Sequence, residues 1–304
     1  MHPLVSEQKQ KYLSTLIVSI GAFLGFEALS YVVGIYQLNT AVYVTFYVYA
    51  FHIFWLTFLF DLHLKKRGVL ATARLNYKGA KMVWEACKQR VEHLRRWEYF
   101  RHYQNYLVLP GLIYWSTVTL VFLNPFNSEL KQLIVLSASF AMCVAYWYMK
   151  EHISRRLEAQ DHWIKILSLV KLFTAFLVYS AVVGTSMHFG YGESFLFLSV
   201  LTLTFLLVYQ ALFQHKLLTF HIFLGIVIFA MVMAIVSLWV YNNWSTEYFT
   251  AGLVMLAVYN MLWGLLHHHL DKTLTRRVVF EYLVMMVLIM SLLFASHNFN
   301  QRVI

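Results

Sequence analysis

Four side chains in the first two apolar runs could form a site for a proton or a cation. Glu27 lies about six residues before the end of the first run, and His52 lies near the middle of the second. If the runs fold back as a hairpin about residue 38, these two groups come within about one helical turn of each other. Tyr49 and Tyr31 are then close enough to join them. Because an ionisable group inside a membrane span is costly unless it is paired or functional, the cluster predicts a site.

The plainer interpretation of the same residues is structural. A hydrogen bond between Glu27 and His52 would lock the hairpin without any further role. The first helix also carries Gly21-x-x-x-Gly25, a spacing that permits two helices to approach closely. That motif is frequent in apolar helices, so it predicts a packing face and identifies no particular partner.

Three more ionisable residues lie near the opposite ends of later apolar runs. Lys171 and Glu281 sit at similar shallow depth, and they either pair or find separate partners. We favour the second arrangement, in which Lys171 extends its flexible chain to the membrane surface. Glu281 would then pair with Arg277, one helical turn away.

The histidines are the candidates for a metal site. Eleven of the 14 fall on the side that the charge distribution makes cytoplasmic, and imidazoles that meet carboxylates at helix ends suit an iron site of a membrane oxygenase. The spacing argues against such a site, because HxxxH and HxxHH clusters are missing and His267–His269 point three ways around a helix. HExxH, GxSxG and GxxxxGK[ST] motifs are missing too, so we predict no cofactor. The candidate ligands are His152, His215, His221 and His267.

Residues 64–105 form the basic stretch of the chain, with 11 of its 24 Lys and Arg. Apolar residues recur there at steps of three and four, which predicts an amphipathic helix over 69–104. Such a helix could lie on an anionic membrane surface, bind a partner protein or pack on the rest of the chain. We do not expect it to bind nucleic acid. Its docking face consists of Tyr77, Trp84, Cys87, Val91 and Leu94.

The elements that position these residues are apolar helices. The chain is 60% hydrophobic and 12% charged, whereas soluble proteins are about 25% charged. Its charges are confined to short intervals between runs of about 20 residues, the length that crosses a ~30 Å hydrocarbon core. We therefore predict an all-α polytopic membrane protein, one membrane domain over 1–304. The nine predicted spans are 12–33, 41–62, 106–124, 132–149, 166–187, 195–213, 220–240, 249–267 and 278–296.

The third span is the least regular of the nine. Pro110-Gly111 lies about one turn inside it, so we expect the helix to begin at the proline or to kink there. If this run is not a true crossing, the chain has eight spans.

Counting Lys and Arg gives the orientation of the chain. With the N-terminus in the cytoplasm, 22 of the 24 fall on or near the cytoplasmic side, and only Lys131 and Arg302 fall outside. The C-terminus then faces outward. We expect a bacterial-type inner (plasma) membrane, whose inner-leaflet anionic lipids are partners of the basic stretch.

Three classes of function are compatible with these observations. The first is a transporter or carrier for a small or lipid-like solute, with Glu27, His52, Tyr49 and Tyr31 as a proton-responsive site. The second is a sensory or scaffolding protein that recruits a partner through helix 69–104. The third is a cytoplasm-facing, metal-dependent enzyme built on the histidines. We rank the enzyme last because catalytic spacing is missing, and we place transport slightly ahead because the chain is nearly all helix bundle.

Overall fold

The computed structural model describes residues 3–35, 40–51, 97–124, 128–155, 161–214, 220–244 and 247–296. Every regular element in these ranges is an α-helix, which confirms the all-α fold class. The nine helices of the described ranges are α1 Pro3–Ile35, α2 Thr40–Phe51, α3 Trp97–Leu123, α4 Ser128–Arg155, α5 Asp161–Phe189, α6 Glu193–Gln214, α7 Phe220–Asn243, α8 Tyr248–Leu270 and α9 Arg276–Ser296.

Six of the described helices, α4 to α9, are long and apolar enough to cross a membrane. A helix of this kind suits hydrocarbon because it satisfies its own backbone hydrogen bonds. The first three helices contain shorter apolar stretches, namely Ser19–Val33, Thr40–Phe51 and Val108–Leu123. The helical membrane class is therefore confirmed, whereas the count of nine spans stays a prediction.

The third helix differs from its predicted form. It runs without a break from Trp97 to Leu123 with Pro110 in its interior. The helix therefore does not begin at the proline, and the alternative of a kink at Pro110 stays a prediction. Proline removes one backbone hydrogen bond from a helix, and the burial of Leu109, Pro110 and Gly111 shows that packing offsets this cost. The helix also takes in residues 97–104, the last part of the amphipathic helix predicted over 69–104.

The contacts between helices divide the chain into two compact units. Unit 1 comprises residues 1–114 and 125–170, and unit 2 comprises residues 115–124 and 171–304. The boundaries fall inside α3 and α5, so each of these helices contributes to both units. The single domain over 1–304 stays a prediction.

In unit 1, α1 packs against α4. The buried face of α1 repeats every three or four residues, at Ala22, Phe26, Leu29 and Val33, the spacing that places side chains on one side of a helix. Helix α4 also carries small buried residues, which let neighbouring helices approach closely. These residues are Ala138, Ser139, Ala141 and Ala145.

Within the described residues, no neighbouring helix approaches the Gly21-x-x-x-Gly25 motif, whose spacing permits close packing. A Cβ atom built at either glycine would meet nothing within 4 Å, and Gly21 is exposed. The two glycines therefore lie outside the helix contacts that the described ranges contain.

In unit 2, successive helices pack side by side, α6 with α7, α7 with α8, and α8 with α9. Two glycines of α8 mark close approaches. Gly252 lies against the side chain of Ser180 in α5, and Gly264 lies against the ring of Tyr282 in α9. A Cβ at either glycine would overlap its neighbour, so these positions set the distances between the helices.

Helix α9 lies at the periphery of unit 2. No residue of its spanning window, Arg276–Ala295, is buried, and the mean hydropathy of that window is 2.4. Among its described contacts, Tyr282 meets Gly264, and the Phe294 ring lies 4.8 Å from that of Trp244. Most of the other side chains of the window are apolar and suited to contact with lipid, and the exceptions are Arg276, Arg277, Glu281 and Ser291.

Candidate functional site

A polar contact between α1 and α4 joins Glu27 to Gln132. Gln132 Nε2 donates a hydrogen bond to Glu27 Oε2 at 3.2 Å, and both side chains are half-buried. Glu27 lies eight residues before Ile35, the last residue of α1, and Gln132 lies four residues after Ser128, the first of α4. At about 1.5 Å per residue, the pair is about 12 Å inside one helix and 6 Å inside the other.

Neighbouring hydrogen bonds fix the two helices around this pair. Ser30 Oγ donates to the backbone carbonyl oxygen of Glu27 at 2.8 Å, a common bond for serine in an apolar helix. Two turns before Glu27 in α1, the carbonyl oxygen of Ser19 accepts a hydrogen bond from the Cys143 thiol of α4 at 4.0 Å. Glu27 meets Gln132, whereas Ser19, which is earlier in α1, meets Cys143, which is later in α4. Helices α1 and α4 are therefore antiparallel.

A group of aromatic rings joins α1, α2 and α3 beside the pair. The ring centroids of Phe26 and Tyr114 are 5.9 Å apart, and those of Tyr114 and Tyr49 are 5.0 Å apart. The Tyr114 hydroxyl donates to the carbonyl oxygen of Thr45 at 2.8 Å. Tyr49 lies over Gly111, where a Cβ would come within 2.5 Å of the tyrosine oxygen. Glycine therefore lets α2 and α3 approach at this level.

Of the four residues predicted as a proton or cation site, three are described. Glu27 is paired with Gln132, and Tyr49 lies in the ring group against α3. Tyr31 is 70% exposed, so its ring lies on the surface. His52 lies outside the described residues, because the description of α2 ends at residue 51. The pairing of Glu27 with His52 stays a prediction.

Gln132 is the partner that sequence reasoning missed. It is the first residue of the predicted fourth span, and a polar residue is ordinary at such a boundary. The helix begins four residues earlier, at Ser128, which places Gln132 one turn inside. An amide one turn inside a span, where it can bond to a neighbouring helix, is the signal that could have identified it.

Unit 2 holds a second polar cluster, made of neutral hydroxyl groups. The Tyr179 hydroxyl and Thr204 Oγ1 are 3.0 Å apart, and either can donate. The Tyr179 ring lies 6.0 Å from that of Tyr259, which lies 5.4 Å from that of Phe229. Helices α5 to α8 therefore each contribute one residue to this hydroxyl cluster, and the member from α7 is the apolar ring of Phe229. All four residues are buried.

The hydroxyl cluster is best explained as a packing element. Its side chains stay neutral, and the Tyr179–Thr204 bond satisfies polar groups that hydrocarbon cannot solvate. Bonds of this kind between membrane helices contribute about 0.6 kcal/mol on average. The adjacent contact of Ser180 with Gly252 draws α5 and α8 together, so the cluster supports helix association.

Arg277 and Glu281, near the start of α9, form an ion pair with each other. Arg277 Nε donates to Glu281 Oε1 at 2.9 Å, one turn along the helix. Their side chains are 88% and 58% exposed, so a pair of this kind contributes about 0.3–0.5 kcal/mol. Lys171 is half-buried near the start of the window Ser168–Phe189. That its ammonium reaches the membrane surface stays a prediction.

The candidate metal ligands are only partly described. His267 Nδ1 lies 3.1 Å from Asp271 Oδ2, whereas His268 Nδ1 lies 2.9 Å from Thr273 Oγ1. The two adjacent histidines therefore bind different partners. Among the described residues, no three His, Cys, Asp or Glu side chains form a group that could hold a metal ion. The side chains of three candidates fall outside the description: His152, His215 and His221.

The predicted docking face of the basic stretch falls in residues 52–96, outside the described ranges. Its role stays a prediction. The residues concerned are Tyr77, Trp84, Cys87, Val91 and Leu94.

The six spanning helices define the chain as an integral membrane protein of the polytopic α-helical class. Residues 79–296 match the model of a family described as "Protein of unknown function (DUF5656)". Because the match covers more than half of the chain, the protein belongs to this family. Gln132 and the hydroxyl cluster lie within the matched range, and Glu27 precedes it. No curated protein and no solved structure matches the chain.

Proposed function

We propose that the protein is a carrier for a small or lipid-like solute, and that Glu27 makes transport respond to protons. The observation that carries this proposal is the hydrogen bond from Gln132 to the half-buried Glu27 carboxylate. A charged side chain in an apolar helix costs about 2.5–3.5 kcal/mol even by insertion scales. A carboxylate held between two spanning helices is therefore a functional site by default.

The chemistry of Gln132 supports a proton-responsive role. Its amide has a donor NH₂ group and an acceptor oxygen, so it can donate to an ionised Glu27 or accept from a protonated one. A lysine or arginine partner offers donors only and would hold the carboxylate ionised. The pair is thus compatible with both protonation states, which a proton-coupled carrier must visit.

The position of the pair links protonation to helix packing. The amide bridges α1 and α4, and it must reorient when the carboxyl group takes up a proton. A change in this bond alters the contact between α1 and α4. Alternation between two packings of the same helices is the usual basis of carrier function in membranes.

The proposed topology has nine spans, with a cytoplasmic N-terminus and an external C-terminus, in a bacterial-type plasma membrane. Each of the nine described helices overlaps one predicted span. The distribution of Lys and Arg supports this orientation, since 22 of 24 lie on or near the proposed cytoplasmic side. In this topology Glu27 and Gln132 lie in the outer half of the membrane.

Reconstituted protein tests the proposal. Proteoliposomes would be challenged with labelled amines, amino acids, sugars and fatty acids at internal pH 7 and external pH 6 or 8. We expect accumulation of at least one solute that depends on external pH, and loss of that dependence in Glu27→Gln. The matched control is Glu129→Gln, which changes an exposed carboxylate in the first turn of α4.

Two results would overturn the proposal. If none of the solutes is taken up by proteoliposomes above the level of empty liposomes, the protein is not a carrier for them. A pH profile that is the same in Glu27→Gln as in the unsubstituted protein removes Glu27 from the mechanism.

A further inference from the structure

Five aromatic rings form a continuous series where α3, α5 and α6 end or begin. The members of this aromatic ladder are Phe122, His188, Phe189, Tyr191 and Phe195. Successive ring centroids from His188 onward are 4.9, 5.5 and 4.5 Å apart, and Phe122 lies 6.3 Å from both His188 and Phe189. Phe189, Tyr191 and Phe195 are 40%, 44% and 39% exposed, so part of each of these side chains is accessible from outside the chain.

The turn that carries the ladder is held by several hydrogen bonds. Gly190 has φ +64°, the left-handed conformation that ends a helix, and the Tyr191 N–H donates to the Ser186 carbonyl at 3.0 Å. Ser186 Oγ donates to the Tyr191 carbonyl, also at 3.0 Å. Phe195 N–H donates to the Gly192 carbonyl at 3.0 Å as α6 begins. The rings are therefore set in place before any ligand binds.

The ladder lies at the ends of membrane-length helices. Phe189 is the last residue of α5, whose spanning window has 22 residues, and Phe195 is the third residue of α6, whose window has 20. Windows of this length cross the hydrocarbon core, so the turn between them falls at the membrane–water interface. Aromatic side chains are enriched at that level, beside the lipid headgroups.

The charge of this segment selects among headgroup chemistries. Between Lys171 and Lys216 the chain has one charged residue, Glu193, and it lies in the turn of the ladder and is exposed. Aromatic faces carry negative electrostatic potential and attract ammonium groups. A carboxylate beside exposed rings therefore complements a cation, whereas an anionic headgroup would meet no lysine or arginine from this segment.

We propose that the aromatic ladder is a docking surface for ammonium headgroups of phospholipids in the leaflet that it borders. The ammonium group lies over the exposed faces of Tyr191 and Phe195 beside the Glu193 carboxylate. The acyl chains run along the apolar surfaces of α5 and α6. Exposed cation–π contacts are weak, so we expect them to enrich the bound lipid by about two- to fivefold.

Lipid retention by the full-length protein tests this assignment. The protein would be reconstituted in nanodiscs of equal phosphatidylethanolamine and phosphatidylglycerol, extracted gently, and the retained lipids counted by native mass spectrometry. We expect phosphatidylethanolamine to exceed phosphatidylglycerol by about two- to fivefold. Tyr191→Ala with Phe195→Ala should remove the excess, and Glu193→Gln should reduce it.

The matched control is Phe140→Ala, which removes an exposed ring of α4, 71% exposed and distant in sequence from the ladder. It should leave the excess unchanged. Equal retention of the two lipids by the unsubstituted protein would overturn the assignment. So would an excess that survives in both ladder variants, or one that Phe140→Ala removes equally. Glu193→Gln changes only an exposed carboxylate, so it decides the question even if the double variant misfolds.

Discussion

The two polar clusters of the molecule differ in charge and in exposure. In unit 1 the Glu27–Gln132 pair contains an ionisable group, and both side chains are half-buried. In unit 2 the hydroxyl cluster is neutral, and Tyr179, Thr204 and Tyr259 are almost completely buried. Both clusters join helices through a hydrogen bond of about the same length, 3.2 and 3.0 Å.

This contrast follows from the cost of polar groups in hydrocarbon. A neutral hydroxyl needs one partner to be buried, whereas a carboxylate needs stronger compensation and keeps part of its hydration when it can. Only the unit 1 pair can therefore change its charge. We expect substitutions in unit 2 to alter stability alone, and substitutions in the unit 1 pair to alter transport as well.

The largest expected effect on stability comes from Gly252→Val in unit 2. The added side chain would overlap Ser180 and force α5 and α8 apart, which lowers the free energy of unfolding by about 1–3 kcal/mol. Thermal unfolding in detergent measures the loss. Gly225→Ala in α7 is the control, because a Cβ there meets nothing within 4 Å. An equal loss in both variants would contradict the close-approach argument.

The next largest effect is expected for Gln132→Leu, which should lower both the stability of the protein and its solute uptake. Removal of the amide leaves the Glu27 carboxylate without its donor, so the free energy of unfolding falls by about 1 kcal/mol. Solute uptake should also fall and lose its response to external pH. Ser137→Ala on the same helix is the control, since that hydroxyl bonds only to carbonyls of α4. Normal uptake in Gln132→Leu would show that the pair is structural.

A smaller effect is expected for Tyr179→Phe, which removes one hydroxyl from the buried cluster. The free energy of unfolding should fall by about 0.6 kcal/mol, and solute uptake should stay unchanged. A double-mutant cycle with Thr204→Val isolates the hydrogen bond from other effects of the substitutions. A coupling energy of zero would contradict the bond, and reduced uptake at normal stability would contradict the division of roles between the clusters.

The smallest effect is that of Arg277→Gln at the start of α9. The ion pair with Glu281 is largely exposed, so its loss should cost about 0.3–0.5 kcal/mol at low salt. At about 1 M salt, screening should remove the difference between variant and unsubstituted protein. A loss above about 1 kcal/mol at either salt concentration would show that the pair supports the α8–α9 contact.

Local features of the fold were predictable from the sequence, because they depend on spacing along one helix. The helical class follows from the length and apolar composition of the runs. The Arg277–Glu281 pair follows from its four-residue separation. For α3 the sequence left two alternatives, a start at Pro110 or a kink there, because the outcome depends on burial against other helices.

Contacts between helices were harder to predict, because they depend on how each helix is rotated. Glu27 stands out as an intramembrane carboxylate. The amide of Gln132 one turn inside a span marks it as a candidate donor, but the sequence does not show that it faces α1. The glycine motif of α1 permits packing, but among the described residues no neighbouring helix approaches it. Tyr179, Thr204 and Tyr259 are ordinary residues in a chain with 20 tyrosines, and only their convergence makes them a cluster.

The peripheral position of α9 has a consequence for biosynthesis. Because none of its spanning residues is buried and a helix satisfies its own interior backbone hydrogen bonds, this helix is suited to lipid before it meets α8. It also follows the other described helices in the chain. The buried core of unit 2 can therefore assemble from the earlier helices, and Tyr282 and Phe294 of α9 can dock on it afterwards.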